Sequence, residues 1–186
     1  MQSGGRKMRF DELKDEQWEI VKAIYKEAFP KVERKPFSRV KKAFKNGNEK
    51  IYTACEDGNV MGFAMVVPYK NTVLVDYLAV NDMVRGRGTG GYLLHELERE
   101  LDGKKIVLLI EKVDDTADNA DQRRARRKFY LRNGFVSSSV FVTGKSGEME
   151  VMVHGGKVSG TEVMELMHHA LGSWMFKMSK MKVCEA

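Results

Sequence analysis

The chain has 186 residues, of which 42% are hydrophobic and 31% are charged, and its formal net charge is +6. This composition is ordinary for a folded chain and argues against disorder throughout. The basic balance favours anionic ligands, without choosing between nucleic acid and a phosphorylated cofactor. Two cysteines, Cys55 and Cys184, are too few for a disulfide framework and favour a reducing, cytoplasmic setting. No apolar run approaches the roughly 18 residues of a membrane-spanning helix, so we expect no membrane partner.

The first half of the chain predicts two helices and three strands. Apolar residues recur at the helical period in the first segment, and Asp57-Gly58 is a strong hairpin signal between two β-rich runs. The third run, TVLVDYLAV, is almost entirely apolar, which predicts a buried central strand that one charge, Asp76, interrupts. The predicted elements are helices at Glu16–Phe29 and Ser38–Lys45 and strands at Lys50–Glu56, Val60–Pro68 and Thr72–Val80.

The second half alternates helices and strands and then ends in a strand pair and a helix. We expect the strands Thr72–Val80 and Lys104–Glu111 to be parallel, because a helix joins them. The order predicts an α/β fold with a mixed, mostly antiparallel central sheet flanked by helices on both faces. We expect one domain over residues 1–158 and a helical extension over 159–186 packed on it. The predicted elements are helices at Gly90–Leu101, Asn119–Arg132 and Thr161–Leu171 and strands at Lys104–Glu111, Phe135–Val142 and Glu148–His154.

A glycine-rich loop, VRGRGTGG at Val84–Gly91, lies between a buried strand and a helix. Glycines allow positive φ and close approach of the backbone to a ligand. Free N–H groups at a helix start, together with the helix dipole, form an anion site. The loop therefore predicts a phosphate or pyrophosphate ligand. The residues expected to contact it are Arg85, Gly86, Arg87, Gly88, Thr89, Gly90 and Gly91.

Two known patterns overlap in this loop. Arg85-x-x-Gly88-x-Gly90 resembles the acyl-CoA signature of the GNAT superfamily of N-acetyltransferases. The same glycines also satisfy the dinucleotide fingerprint of Rossmann domains, and Glu111 lies near the spacing of a ribose-binding acid. A glycine turn without any ligand is the third reading. A Rossmann fingerprint normally follows the first strand of its domain, whereas about three strands and two helices precede this loop, which favours the GNAT reading.

A second motif follows in the helix at Asn119–Arg132. Asn119 and Tyr130 are eleven residues apart, about three helical turns, so both fall on nearly the same face. Tyr130-x-x-x-Gly134-Phe135 resembles the later GNAT motif, in which the tyrosine lies near the CoA sulfur; core packing alone is the alternative for Tyr130.

The basic run at residues 123–128 predicts a solvated helix face, an attraction for the anionic cofactor, or a nucleic-acid contact. Because no aromatic residues interleave with it, we expect no nucleic-acid partner.

The resemblance covers roughly Glu16 to His154 and implies transfer of an acetyl group from acetyl-CoA to a small-molecule or peptide amine, by direct attack in a ternary complex and without a metal. It implies Tyr130 as general acid. Asp76 or Glu111 is the candidate general base, and we expect a raised pKa for Asp76 within its apolar strand. The alternatives are an Asp76 paired with a cation and a Glu111 that is merely a solvated acid at a strand end.

The same resemblance implies the remaining contacts. The backbone of Leu78-Ala79-Val80 is expected to pair with the pantetheine as an added strand would, and Asn119 to line the cofactor groove. The segment around Glu33 and Arg34 looks like an acceptor-side segment, although a plain charged loop is the alternative. A homodimer is a further possibility. The competing hypothesis for the whole chain is a non-catalytic CoA- or dinucleotide-binding module.

Overall fold

A computed structural model of the chain describes residues 8–145 and 147–184. Every predicted helix and strand is present in it, and the boundaries lie within two residues of their predicted positions except at the end of the C-terminal helix. The helices are α1 Trp18–Ala28, α2 Phe37–Lys45, α3 Thr89–Glu100, α4 Ala120–Arg132 and α5 Gly160–Ser179. The strands are β1 Arg9–Glu12, β2 Lys50–Glu56, β3 Asn59–Tyr69, β4 Thr72–Val80, β5 Lys105–Glu111, β6 Val136–Gly144, β7 Gly147–His154 and β8 Lys182–Cys184.

The chain divides into two compact units. The first contains the described residues up to Val67 together with Val75–Asp102, and the second contains Pro68–Leu74 and the described residues from Gly103 onward. Strand β4 therefore contributes its first three residues to the second unit and its last six to the first. The expected division at residue 158 stays a prediction.

In the first unit, strands β1 and β2, and strands β2 and β3, pair antiparallel. Helices lie on both faces of this part of the sheet, as predicted. The Tyr25 ring of α1 lies 6.5 Å from the Phe63 ring. A Cβ placed on the neighbouring Gly62 would instead come within 3.2 Å of Leu93 in α3. Successive residues of a strand face opposite sides, so α1 and α3 cover opposite faces.

In the second unit, the first three residues of β4 run parallel to the first three of β5, Thr72 beside Lys105 and Leu74 beside Val107. Strand β5 pairs antiparallel with β7, and β6 pairs antiparallel with both β7 and β8. The parallel pair, the terminal antiparallel pair and the mixed character of the sheet are thus confirmed. The α/β fold class predicted from the order of elements is therefore correct.

The C-terminal helix differs from its prediction in length. It begins with a capping box, in which Ser159 and Glu162 exchange side-chain and backbone hydrogen bonds. Gly172, with φ of 72°, kinks the helix one residue after its predicted end, and the chain then continues helically to Ser179. Among the described residues, no helix is long and apolar enough to cross a membrane.

Candidate functional site

The glycine loop between β4 and α3 is open to its surroundings. Gly86 and Gly88 have φ of 82° and 85°, a backbone conformation that side chains other than glycine rarely adopt. A Cβ built on either residue meets no heavy atom within 4 Å. Glycine is therefore required here by backbone conformation rather than by crowding, and space remains beside the backbone for a ligand.

The start of α3 has the features of an anion site. Gly88 is its N-cap residue and provides no side-chain cap. The first N–H groups of a helix have no acceptor within that helix, and the helix dipole adds positive potential there. Thr89 is 1% exposed, and its Oγ1 is buried without a hydrogen-bond partner among the described residues. Arg85 and Arg87 are exposed beside it, with Arg85 ion-paired to Asp82. All seven predicted loop residues thus lie in one segment.

The strand that leads into this loop is closely packed from one side. A Cβ on Gly62 would lie 2.7 Å from the Ala79 carbonyl oxygen and 3.2 Å from the Val80 Cα. Strand β3 can therefore approach Leu78-Ala79-Val80 only because residue 62 is glycine. Gly62 was not among the predicted site residues, although a glycine inside an apolar strand signals such a close approach. The packing fixes the strand immediately before the loop.

Asp76 is ion-paired. Lys35 Nζ lies 2.6 Å from Asp76 Oδ2 and 3.0 Å from Glu49 Oε1, and both Lys35 and Glu49 have side chains only 6% exposed. Burial alone would lower the pKa of Lys35, but the charges of Asp76 and Glu49 outweigh it and raise that pKa. Burial raises the pKa of Glu49, and Lys35 offsets only part of that increase. Sequence reasoning left open a paired Asp76 but identified neither Lys35 nor Glu49, which lie 41 and 27 positions away in the chain.

Glu33 and Arg34 lie in the segment that precedes Lys35. The Tyr77 hydroxyl donates to the Glu33 carbonyl at 2.9 Å and accepts from the Lys35 N–H at 3.2 Å. The Glu33 side chain is exposed, whereas Arg34 is half-buried, with its Nε lacking a hydrogen-bond partner among the described residues. The first unit therefore brings the predicted acceptor-side pair and Asp76 to the same part of β4.

Glu111, at the end of β5, receives hydrogen bonds from several groups of the second unit. Asn119 Nδ2 lies 3.3 Å from both of its oxygens, Arg123 Nη2 3.1 Å from one and Arg126 Nη1 3.0 Å from the other. Two predicted residues, Glu111 and Asn119, are thus brought together. Beside them is an open pocket of about 470 Å³. Its lining consists of Glu111, Lys112, Val113, Asp114, Asp115, Arg123, Gly147 and Glu148.

Tyr130 is buried in the second unit between aromatic rings. Its ring makes edge-on contacts with Phe129 at 5.1 Å and Phe135 at 5.7 Å between centroids. Burial raises the pKa of Tyr130 to about 12, against a smaller opposing effect of Arg126. The hydroxyl is therefore protonated at neutral pH and can act as a donor, while its ring also packs in the core.

The basic run on α4 is largely neutralised within its own unit. Arg127 makes two hydrogen bonds to the buried Glu150, at 2.8 and 3.1 Å. Arg124 pairs with Asp115 and Asp121, and Arg123 and Arg126 pair with Glu111. All four arginines thus have acidic partners, which favours the reading of a solvated, internally paired helix face. Within residues 8–145 and 147–184, no three His, Cys, Asp or Glu side chains group closely enough to hold a metal ion.

Comparison with known structures identifies the fold. A protein described as "Putative acetyltransferase from GNAT family from Bacteroides thetaiotaomicron" superposes with a TM-score of 0.71 at 22% identity, over 90% of this chain and 98% of that one. A second structure, described as "Crystal structure of aminoglycoside 6'-N-acetyltransferase complexed with coenzyme A", superposes with a TM-score of 0.64 at 15% identity. The superposition covers 78% of this chain and 96% of that one. The chain therefore has the fold of GNAT acetyltransferases.

Sequence comparison gives the family. Residues 47–137 match the family described as "Acetyltransferase (GNAT) domain". A stretch of 111 residues is 31% identical to "Putative acetyltransferase YjbC" of Bacillus subtilis (strain 168) and covers 55% of each chain, so the match spans about half the length of that relative. Residues 47–137 of the chain therefore match the GNAT acetyltransferase family, in agreement with the two sequence motifs.

Proposed function

We propose that this protein transfers an acetyl group from acetyl-CoA to an amine by direct attack in a ternary complex. The observation that carries the proposal is the open glycine loop at the N-terminus of α3, immediately after the closely packed end of β4. The match of residues 47–137 to the GNAT acetyltransferase family supports acyl transfer as the reaction class. One relative of known structure is described as complexed with coenzyme A, which supports the same cosubstrate here.

The loop residues fit the diphosphate of the cosubstrate. Its two negative charges require donors without other partners, and the first N–H groups of α3 provide them. Arg85 and Arg87 are exposed on the same segment, and the Thr89 hydroxyl is buried without a partner. The backbone of Leu78-Ala79-Val80 is the proposed pairing edge for the pantetheine.

In the reaction the amine nitrogen forms a bond to the thioester carbonyl carbon, the carbon–sulfur bond breaks, and the sulfur leaves with the electron pair. Asn119 is proposed to line the groove that holds the cofactor. Tyr130 is the proposed general acid at the sulfur. With its pKa at about 12, against about 8.5 for a thiol, complete proton transfer would be uphill by about 5 kcal/mol. Tyr130 therefore acts mainly by hydrogen-bonding the developing thiolate, which lowers the barrier without full ionisation of the phenol.

Removal of the ammonium proton is assigned to Asp76 or Glu111. Each carboxylate is paired with a cationic side chain. The ion pair of Asp76 uses only Oδ2, whereas both oxygens of Glu111 accept from cationic or amide donors. Asp76 is therefore the better supported of the two. Substituting each by its amide and recording the acid limb of kcat/KM against pH distinguishes them, because only the true base moves that limb.

The acceptor is proposed as an amine that contacts the segment of Glu33 and Arg34. The structural relatives include N-acetyltransferases named for acceptors as different as aminoglycosides, spermidine and a ribosomal-protein alanine. The fold therefore leaves the acceptor open. A test panel of these three chemical classes covers a polycationic sugar, a linear polyamine and a peptide N-terminus.

The decisive experiment is calorimetric titration with acetyl-CoA and, in parallel, with NADPH. Gly88→Ala is compared with Gly58→Ala, which is a matched control because both glycines have φ above 80° and no atom within 4 Å of a built Cβ. We expect micromolar acetyl-CoA affinity, at least tenfold weaker in Gly88→Ala and unchanged in Gly58→Ala, and release of free thiol with one panel amine. Binding of NADPH that acetyl-CoA does not displace would support the dinucleotide alternative, and acetyl-CoA binding without turnover would support the non-catalytic one.

A further inference from the structure

We propose that Lys35 is a positioning residue that locks the acceptor-side segment Glu33–Lys35 onto strand β4. This inference rests on the proposed acetyltransferase function, since it assigns that segment a task in the reaction. The contacts of Lys35 would hold the acceptor-side residues at a fixed distance from Leu78-Ala79-Val80, the proposed pantetheine edge of the same strand.

The side chain of Lys35 makes the first attachment. Its Nζ bridges Asp76 of β4 at 2.6 Å and Glu49, the residue just before β2, at 3.0 Å. All three side chains are at most 14% exposed. A single ammonium thus ties the segment to two separate parts of the first unit, in surroundings where water competes little for the interaction.

The backbone of the segment makes the second attachment, through two core tyrosines. Tyr25 donates to the Lys35 carbonyl at 3.2 Å, and Tyr77 accepts from the Lys35 N–H at 3.2 Å while donating to the Glu33 carbonyl at 2.9 Å. Burial raises the pKa of both phenols, so both hydroxyls stay protonated and can donate. Both polar backbone groups of Lys35 are therefore satisfied by side chains of the core rather than by water.

The charge count indicates that the cluster has a task besides stability. Glu49 and the largely buried Asp76 both contact one ammonium, with Arg39 also acting on the charge of Glu49, and Glu49 Oε2 is buried without a hydrogen-bond partner among the described residues. Well-packed apolar residues often replace buried ion clusters at no cost in stability, whereas ionic clusters can fix one specific arrangement. In this protein the arrangement that is fixed is the position of residues 33–35 on β4.

The position of Asp76 on β4 relates the contacts of Lys35 to the proposed reaction. Asp76, Leu78 and Val80 alternate along β4 and share one face. Lys35 therefore ties the acceptor-side segment to the strand that continues into the proposed pantetheine edge. A shift of about 1 Å in such an arrangement is enough to reduce turnover about 100-fold.

The test compares Lys35→Met with Lys31→Met, the same change at an exposed lysine of the same loop. Initial rates are measured against acetyl-CoA and against whichever of spermidine, kanamycin and an N-terminal alanine peptide is turned over best. We expect Lys35→Met to raise the KM for the amine at least tenfold with the KM for acetyl-CoA within twofold of wild type. Lys31→Met should match wild type in both. Hydrogen exchange of the peptide spanning residues 31–37 should accelerate at least tenfold in Lys35→Met alone.

Two further variants keep the inference testable if Lys35→Met folds poorly. Tyr77→Phe removes two backbone anchors while leaving the ion cluster intact, and Tyr25→Phe removes the hydrogen bond to the Lys35 carbonyl. Both should accelerate exchange at residues 31–37 and raise the amine KM. If these variants show an unchanged KM for the amine and unchanged hydrogen exchange, the inference is wrong. Turnover by the wild type would in that case still support the proposed function. Failure of the wild type to bind acetyl-CoA would instead count against the function itself.

Discussion

Removing the guanidinium of Arg127 tests whether the basic helix face is structural. Glu150 on β7 has a side chain only 5% exposed, and Arg127 reaches it with two hydrogen bonds from α4. Loss of one partner of a fully buried pair costs about 3–5 kcal/mol, because the other charge stays buried alone. Arg127 is itself 36% exposed, and solvent screening reduces the expected cost to about 2–3 kcal/mol. For a chain of this size that corresponds to a loss of roughly 4–12 °C in Tm.

The assay is thermal and urea unfolding of Arg127→Met beside Lys128→Met, the same kind of change at an exposed neighbour. Lys128→Met should change stability by less than about 0.5 kcal/mol. A loss in Arg127→Met no larger than in the control would refute the reasoning.

Three further predictions concern single positions. Tyr130→Phe should lower kcat about 100-fold or more with little change in the KM for acetyl-CoA, and wild-type kcat should show no loss from Tyr130 ionisation below about pH 11, because the pKa of that residue is about 12. Gly62→Ala should cost about 1–3 kcal/mol in urea unfolding, because the new Cβ would lie 2.7 Å from the Ala79 carbonyl oxygen. The hydrogen bonds from Lys105 and the Ser159 backbone lower the pKa of Glu162 to about 2. Glu162→Gln should therefore cost less than about 1 kcal/mol at pH 7 after solvent screening, and pH titration of unfolding should show that difference disappearing as the pH falls from about 4.5 towards 2.

Local signals in the sequence predicted the elements and the cofactor loop. Strands Lys50–Glu56 and Thr72–Val80 have the predicted bounds, because runs of β-branched and apolar residues between turn residues specify a buried strand by themselves. The edge strands β1 and β8, of four and three residues, were not predicted. They are too short to show a period, and their pairing depends on the neighbouring strand rather than on their own residues.

The sequence by itself determined the α/β class, the GNAT motifs and the position of the glycine loop, since each depends on residues close together in the chain. Only the tertiary structure decided which charges meet. It paired Asp76 with Lys35 across 41 positions, and it bound the arginines of α4 to Glu111 and Glu150. The partner of a charged residue cannot be identified from the sequence alone. The strength of a charge pair depends on distance and burial, and both are defined only in the folded chain.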